Sequence, residues 1–394
     1  MLRCEYIKTA GMLVITAILA VFFSAKSYAA SEQLSSLEAG INDLIFDVSQ
    51  SIVTIEATEQ IYPNNYSQQD NEALYSIVSS GVVYDTLGRI ITLAQSVVGR
   101  SLIAVRYENE VVSAKVMAVD YQTGLALLQA FKPIGMPVKL SRSTGCAGQM
   151  ILAMGNSLGL RAAPSLGFCA GYRPDGLLQF SADFCSSAYG GGVFSLSGEL
   201  IGMIAGRINT ESQSKIGLSL TAPEIENSVK YLIKKGDRFA GYLGLTTTEI
   251  EISPPLQINY SNSLVSAMAK SLIVERGVLV SEIISNSPAD LAGFKKNDLL
   301  FEINGRRINS ALALATLVKR SQPGDIFEVG FLRHNQVYYQ KVRVGQNPTT
   351  GYLITAGAET PASPEDLVTD SIIKEISNLK KSIEQLETRL RDLR

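Results

Sequence analysis

Leu34, Leu37, Ile41, Leu44, Ile45 and Val48 recur at helical steps, so an amphipathic helix is predicted across residues 31–50. From Ser51 the period shortens. Runs such as Ser51–Ile55, Gly81–Tyr84, Arg89–Thr92, Leu102–Arg106, Gln149–Ala153 and Leu200–Ile204 are β-rich and separated by turn residues, the spacing of an all-β barrel or sandwich. The span 51–236 is long enough for two small barrels, closed by a helix from Glu224 to Lys235 with Gly236 as its stop. Residues 238–346 mix strands (Gly277–Ile284, Leu299–Ile303, Ile326–Leu332, Val337–Val344), interrupted by Ser287–Gly293, with a helical stretch at Ser310–Lys319, predicting a small α+β module. Residues 347–370, with Gly351, Gly357, Pro361, Ser363 and Pro364, read as a linker. In 371–394, Ile372, Ile376, Leu379, Ile383, Leu386, Leu390 and Leu393 alternate four- and three-residue steps, the stripe of a short coiled coil.

Charge and composition then remove function classes. A net charge of -2, from 35 Lys plus Arg against 37 Asp plus Glu, supplies no field for sequence-independent nucleic-acid binding, so no nucleic-acid partner is expected. The single histidine, His334, excludes multi-histidine metal sites and restricts acid/base chemistry; no metal and no cofactor are expected. Residues 1–30 have Arg3 and Lys8, an apolar run from Ala10 to Phe23, and small residues ending Ala29-Ala30. That is the layout of an export signal, with an uncleaved membrane anchor as its alternative. Three cysteines follow it, Cys146, Cys169 and Cys185. At most one intramolecular disulfide can form among them; spacing does not say which, and three thiols buried in strands is the plainer alternative.

Several local motifs in this order resemble the HtrA (Deg) family of exported proteases. Gly81-Val-Val-Tyr-Asp85 with Gly88–Thr92 looks like its opening hairpin, Met154-Gly-Asn-Ser-Leu-Gly-Leu160 like its Gly-Asn-Pro-Leu-Gly-Leu turn, and Gly198–Gly202 like the strand after its nucleophile loop. The resemblance implies a mostly β chain: a trypsin-like double β-barrel, then a PDZ domain, here with a short C-terminal coiled-coil helix added. It also places the catalytic positions, and all three side chains are wrong. Gln95 falls on the base, Gly124 on the orienting carboxylate and Tyr189 on the nucleophile, while Ser187 replaces an oxyanion-loop glycine. Losing triad members leaves only ~10^3 to 10^4 over water, which for a peptide bond is no activity. Cys185 and Ser186 lie just before the lost nucleophile, but neither a His nor any Lys or Arg between Arg173 and Arg207 stands near them in sequence to activate them.

Gly241-Tyr242-Leu243-Gly244-Leu245 is similar to the PDZ loop whose backbone N–H groups cradle a peptide carboxylate, with an edge strand after it and Leu312, Ala315, Thr316 and Lys319 on the helix forming the other wall. The segment Ile250–Ser271 is longer than a plain PDZ needs and is a candidate cover for that groove. The heptad positions Ile376, Leu379, Ile383, Leu386 and Leu390 imply self-association: the pattern favours two strands, whereas the family resemblance implies trimers. The expectation is therefore an exported HtrA-like pseudoprotease, periplasmic or otherwise outside the cytoplasm. It would bind protein C-termini or extended peptides, as a homo-oligomer or in a hetero-oligomer with an active HtrA-like protease. The alternative is an active serine- or cysteine-type endopeptidase with an unconventional site.

Overall fold

A computed structural model describes residues 35–61, 73–143, 145–209, 215–258, 272–334 and 336–346. The segments expected to be an export signal (1–30), a linker (347–370) and a coiled coil (371–394) lie outside these residues. The first helix, α1, covers 35–49 and lays Leu44, Ile45 and Val48 on the core while Leu37 and Phe46 face solvent.

Two closed six-stranded barrels follow. The first contains β1 (Ile52–Ile61), β2 (Ala73–Val83), β3 (Arg89–Leu93), β4 (Leu102–Tyr107), β5 (Glu110–Asp120) and β6 (Leu125–Ala130), in the order β1-β2-β3-β6-β5-β4; one helical turn, α2 (Ala94–Val97), follows β3. The second contains β7 (Met150–Ser157), β8 (Leu160–Tyr172), β9 (Leu178–Ser181), β10 (Gly192–Ser195), β11 (Leu200–Asn209) and β12 (Lys215–Thr221), ordered β10-β11-β12-β9-β8-β7. Successive side chains on a strand point to opposite faces, which explains the unbroken apolar pairs. Val53, Ile90 and Leu128 fill the first barrel, whereas their neighbours Ile52, Ile91 and Leu127 turn outward to meet Leu152, Met154 and Leu200 in a core between the barrels. The closing helix α3 (Ala222–Lys235) is capped by Thr221, whose hydroxyl accepts from Glu224 N–H, and ends at Gly236 with φ +78°. Ile225, Val229 and Leu232 bury its inner face on the same core.

The second unit has β13 (Gly241–Tyr242), β14 (Leu245–Ile258), β15 (Leu272–Ile283), α4 (Pro288–Leu291), β16 (Leu299–Ile303), β17 (Arg306–Arg307), α5 (Ala311–Arg320), β18 (Ile326–Arg333), β19 (Gln336–Arg343) and β20 (Gly345–Gln346). Its main sheet runs β14-β15-β16-β18-β19, leaving β14 at an edge. One expectation changes here. Residues Ile250–Ile258 do not fold over the groove; they prolong β14 and pair with the start of β15, and 259–271 lie outside the described residues.

The two units touch through the turn between β5 and β6. Buried Asp120 accepts from Ser228 Oγ (2.7 Å), Gln122 N–H (2.9 Å) and Arg238 Nη1 (3.4 Å). Gln122 Nε2 donates to the carbonyls of Phe239 and Ser321, both at 3.1 Å, and Tyr121 stacks on Phe239 with centroids 5.5 Å apart. The C-terminal end of α5 thus rests on the turn that leads into Gly124.

Candidate functional site

The residues expected at a catalytic centre come from three segments along the seam between the barrels. Gln95 is half-buried in α2, and the N–H of its neighbour Ala94 donates to the Gly124 carbonyl at 2.8 Å, so those two positions lie side by side. Gly124 has φ +83° and open space where a side chain would project. Tyr189 follows a 3-10 turn, Ser186–Ala188, and its carbonyl accepts from Ser80 N–H at 2.9 Å. Its ring packs on the interbarrel core and meets Phe184 edge-on, with centroids 6.3 Å apart. Burial raises the Tyr189 phenol above its ordinary value, with Arg207 pulling it down and Cys185 pushing it up. An amide, a bare glycine and a neutral phenol supply neither base nor nucleophile at neutral pH.

The loop is nevertheless tightly held. A Cβ on Gly190, at φ +85°, would fall 2.2 Å from the Ser80 carbonyl oxygen and 2.6 Å from Thr92 Oγ1; one on Gly191 would fall 2.2 Å from the Met154 oxygen. Ser80 Oγ accepts from Asn156 N–H at 2.7 Å and donates to the Ser187 carbonyl at 2.8 Å. Ser187 Oγ in turn donates to the Asn156 carbonyl at 3.2 Å. The N–H of Tyr189 donates to Ser186 O at 3.1 Å, so one of the two amides that an oxyanion would need is engaged inside the loop.

Cys185 occupies the small polar nest this creates. Its Sγ lies 2.9 Å from Ser187 Oγ, 3.4 Å from the Asn156 carbonyl and 3.6 Å from Ser157 Oγ. Burial pushes its pKa up, but the Ser187 and Ser157 hydroxyls and the Leu158 and Ser187 N–H groups together outweigh it, and the net direction is down. His334 sits at the β18–β19 turn of the other unit, and its imidazole is not a partner. Beside the nest, Thr54, Glu56, Arg106, Leu158, Arg161 and Ser187 line a cleft of about 530 Å³. Its charges are paired: Glu56 with Arg106 at 2.9 Å and Glu108 with Arg161 at 3.8 Å. The described residues hold no group of three or more His, Cys, Asp or Glu side chains suited to a metal ion.

A second site lies at Gly241–Leu245. The Leu243 carbonyl accepts from Ala289 N–H (2.8 Å), and the Gly244 carbonyl from Ile284 N–H (2.9 Å) and Ser287 Oγ (3.2 Å). Across a trans peptide the next N–H points opposite to the carbonyl, so the amides of Gly244 and Leu245 face away from the domain body. Gly244 has φ +77°, and a Cβ there would lie 2.2 Å from that of Ser287. Edge strand β14 leads away from this loop, and Glu249 Oε1 accepts from Ala311 N–H at 2.9 Å, tying the strand to the start of α5. Leu312 and Thr316 are half-buried on α5, while Leu314 is buried in the core. Lys319 is half-buried on α5; the carboxylates of Glu224, Asp120 and Asp175 raise its pKa, but desolvation outweighs them and holds it below the ordinary lysine value. Sequence reasoning marked the Gly155-Asn-Ser-Leu-Gly turn as a motif, yet missed Ser80 and Asn156 as the struts of the loop; the heptad residues Ile376 to Leu390 lie outside the described residues.

Comparison with known proteins matches residues 79–203 to the trypsin-like peptidase domain and residues 241–344 to the PDZ domain. Over 332 residues the chain is 24% identical to the serine protease Do-like HtrA of Bacillus subtilis, covering 78% of this chain and 73% of that protein. It is 27% identical to the periplasmic serine endoprotease DegP of Salmonella typhimurium, covering 69% of this chain and 58% of DegP. The figures for the periplasmic pH-dependent serine endoprotease DegQ of Escherichia coli are 27%, 66% and 57%, so the chain spans under two thirds of DegP and DegQ. Among solved structures, the HtrA-type protease AlgW with a decapeptide superposes with a TM-score of 0.57 at 18% identity, covering 76% of this chain and 97% of that one. The serine endoprotease of Yersinia pestis gives 0.56 at 19%, covering 78% and 97%.

Proposed function

Starting from its membership of the HtrA/Deg family, we propose that this protein is an exported pseudoprotease that works by binding. Its PDZ groove takes the C-termini or extended segments of envelope proteins, and its peptidase fold serves as a scaffold in an assembly of its own copies or with an active HtrA-like protease. The observation that carries this reading is the state of the loop at Ser186–Tyr189: the nucleophile position holds a half-buried phenol packed on the interbarrel core, and the Tyr189 amide is bonded within the loop. The periplasmic setting of DegP and DegQ and the signal-like first 30 residues support export. Among the described residues no helix is long and apolar enough to cross a membrane.

The reading is tested by treating purified protein with a fluorophosphonate and with a thiol-directed probe, then measuring casein digestion. No turnover is expected, with label only on thiols. The rival endopeptidase reading draws on the lowered pKa of Cys185, and casein turnover abolished by Cys185→Ala would establish it instead. An affinity pull-down comparing the intact chain with one lacking 241–344 then reads the binding function: clients should be lost with the PDZ domain.

A further inference from the structure

Cys146, Cys169 and Cys185 are free thiols in the structure, and strand geometry decides which two can meet. They are not three thiols buried in strands: Cys169 is buried in β8, Cys146 is exposed in the turn before β7, and Cys185 is half-buried before the 3-10 turn. Cys169 N–H donates to the Gln149 carbonyl at 2.9 Å and Gly148 N–H to the Cys169 carbonyl at 2.8 Å, which sets Cys169 opposite the start of β7. Cys146 lies three residues earlier in a turn closed by Gln149 N–H on its carbonyl at 3.1 Å. That turn runs over the Cys169 sulfur: a Cβ built on Gly145 would sit 3.9 Å from Cys169 Sγ and 3.4 Å from Gln149 Oε1, the same oxygen that Cys146 Sγ approaches at 4.0 Å. Burial raises the Cys169 pKa and the nearby Cys146 raises it further, so the two sulfurs also sense each other electrostatically.

Cys185 is held at the far end of the same strand, on Asn156 and Ser157. The seven residue steps from Gln149 to Asn156 separate it from Cys169 by about 23 Å at ~3.3 Å per residue. A disulfide needs Cα atoms within about 7 Å. Both pairs that include Cys185 are thereby excluded.

We propose that Cys146 and Cys169 are joined by a disulfide that clips the turn before β7 onto β8, leaving Cys185 as the free thiol beside the degenerate site. The chemistry is an exchange: the exposed Cys146 thiolate attacks an external disulfide, such as glutathione disulfide or a protein disulfide oxidant, and releases one thiol. The Cys169 thiolate then displaces the second thiol from that mixed disulfide. In total the two cysteines lose two protons and two electrons, and the external disulfide is reduced to two thiols. The clip fastens the corner where a Cβ built on Gly145 would lie 3.6 Å from Ile201 Cδ1 on β11, next to the core of the second barrel.

The test takes reduced protein, equilibrates it with glutathione disulfide, blocks remaining thiols by alkylation and digests with trypsin. Because Arg173 precedes Pro174 and resists trypsin, an Asp-N endoproteinase is added; cleavage after Arg142 and Arg161 and before Asp175 and Asp183 puts Cys146 in 143–161, Cys169 in 162–174 and Cys185 in 183–207. The expected product is a covalent 143–161/162–174 pair, with Cys185 outside it in 183–207 and a melting temperature several degrees above that of the reduced protein. Cys146→Ser, a change at an exposed turn, should abolish both the pair and the shift. Glutathione retained on Cys146 with Cys169 still a thiol, a linkage that includes Cys185, or an undiminished shift in Cys146→Ser would overturn the proposal.

Discussion

The hydroxyl of Ser80, on the first barrel, donates to the carbonyl of Ser187 in the nucleophile loop of the second barrel at 2.8 Å. Ser80 also takes the Asn156 N–H, so a single buried side chain joins β2, β7 and the loop. Ser80→Ala leaves that N–H and that carbonyl without partners in a site that excludes water. The expected loss is about 1–3 kcal/mol for unsatisfied buried polar groups. Chemical denaturation checks it, and Ser80→Thr, which keeps the hydroxyl, should recover part of the loss.

Restoring the triad in sequence should not restore activity. Tyr189→Ser alone lacks a base, and Gln95→His with Gly124→Asp added places an aspartate at φ +83°, a region that costs about 1–3 kcal/mol for a side chain. The Tyr189 amide remains bonded to the Ser186 carbonyl inside the loop. Fluorophosphonate labelling and casein turnover of the triple variant should stay at background. Labelling at wild-type-protease rates would show that the loop opens readily.

Thiol reactivity should divide by pH. Hydroxyl and amide donors favour the Cys185 thiolate and burial disfavours that of Cys169, so the rate of alkylation should reach half its maximum below pH 9.0 for Cys185 and above it for Cys169. A depressed folded pKa stabilises the fold at pH above the unfolded thiol value and loses that contribution as pH falls through the folded one; near neutrality Cys185 contributes little. Ser187→Ala removes the nearest donor and should move the Cys185 profile to higher pH.

Peptides ending in a free apolar carboxylate should bind the groove with micromolar dissociation constants, and their amidated forms should bind far more weakly. Gly244→Ala forces a Cβ against Ser287 at a positive φ and should abolish the difference. Titration calorimetry with both peptide forms decides this. Equal affinity for acid and amide would mean that the loop does not read a terminus.

Ile383→Lys puts a charge at a central a position of the heptad stripe, whereas Lys381 lies off it. Sedimentation should show a smaller assembly for Ile383→Lys and for a chain ending at Thr369 than for the full chain. Identical masses for all three would leave assembly to α1 and the barrels.

The period-2 runs and their turn residues were enough to read an all-β barrel or sandwich region followed by an α+β unit, because side-chain alternation and turn chemistry are local properties, and the motif resemblance made that region a double barrel. Gln95, Gly124 and Tyr189 could be placed at the expected catalytic positions because they lie in motifs whose flanking residues match the family pattern. What the tertiary structure decided depends on residues distant in sequence. Ser80 and Ser187 are 107 positions apart, and no periodicity announces their hydrogen bond. Lys319 lies on the side of its helix that reads as groove, and only packing of α5 on the β5–β6 turn puts it in the field of Asp120 and Glu224. The cysteine pairing was open for the same reason: the spacing of 146, 169 and 185 along the chain favours no pair, and only the register of β7 against β8 brings the first two to one end of a strand and carries the third to the other.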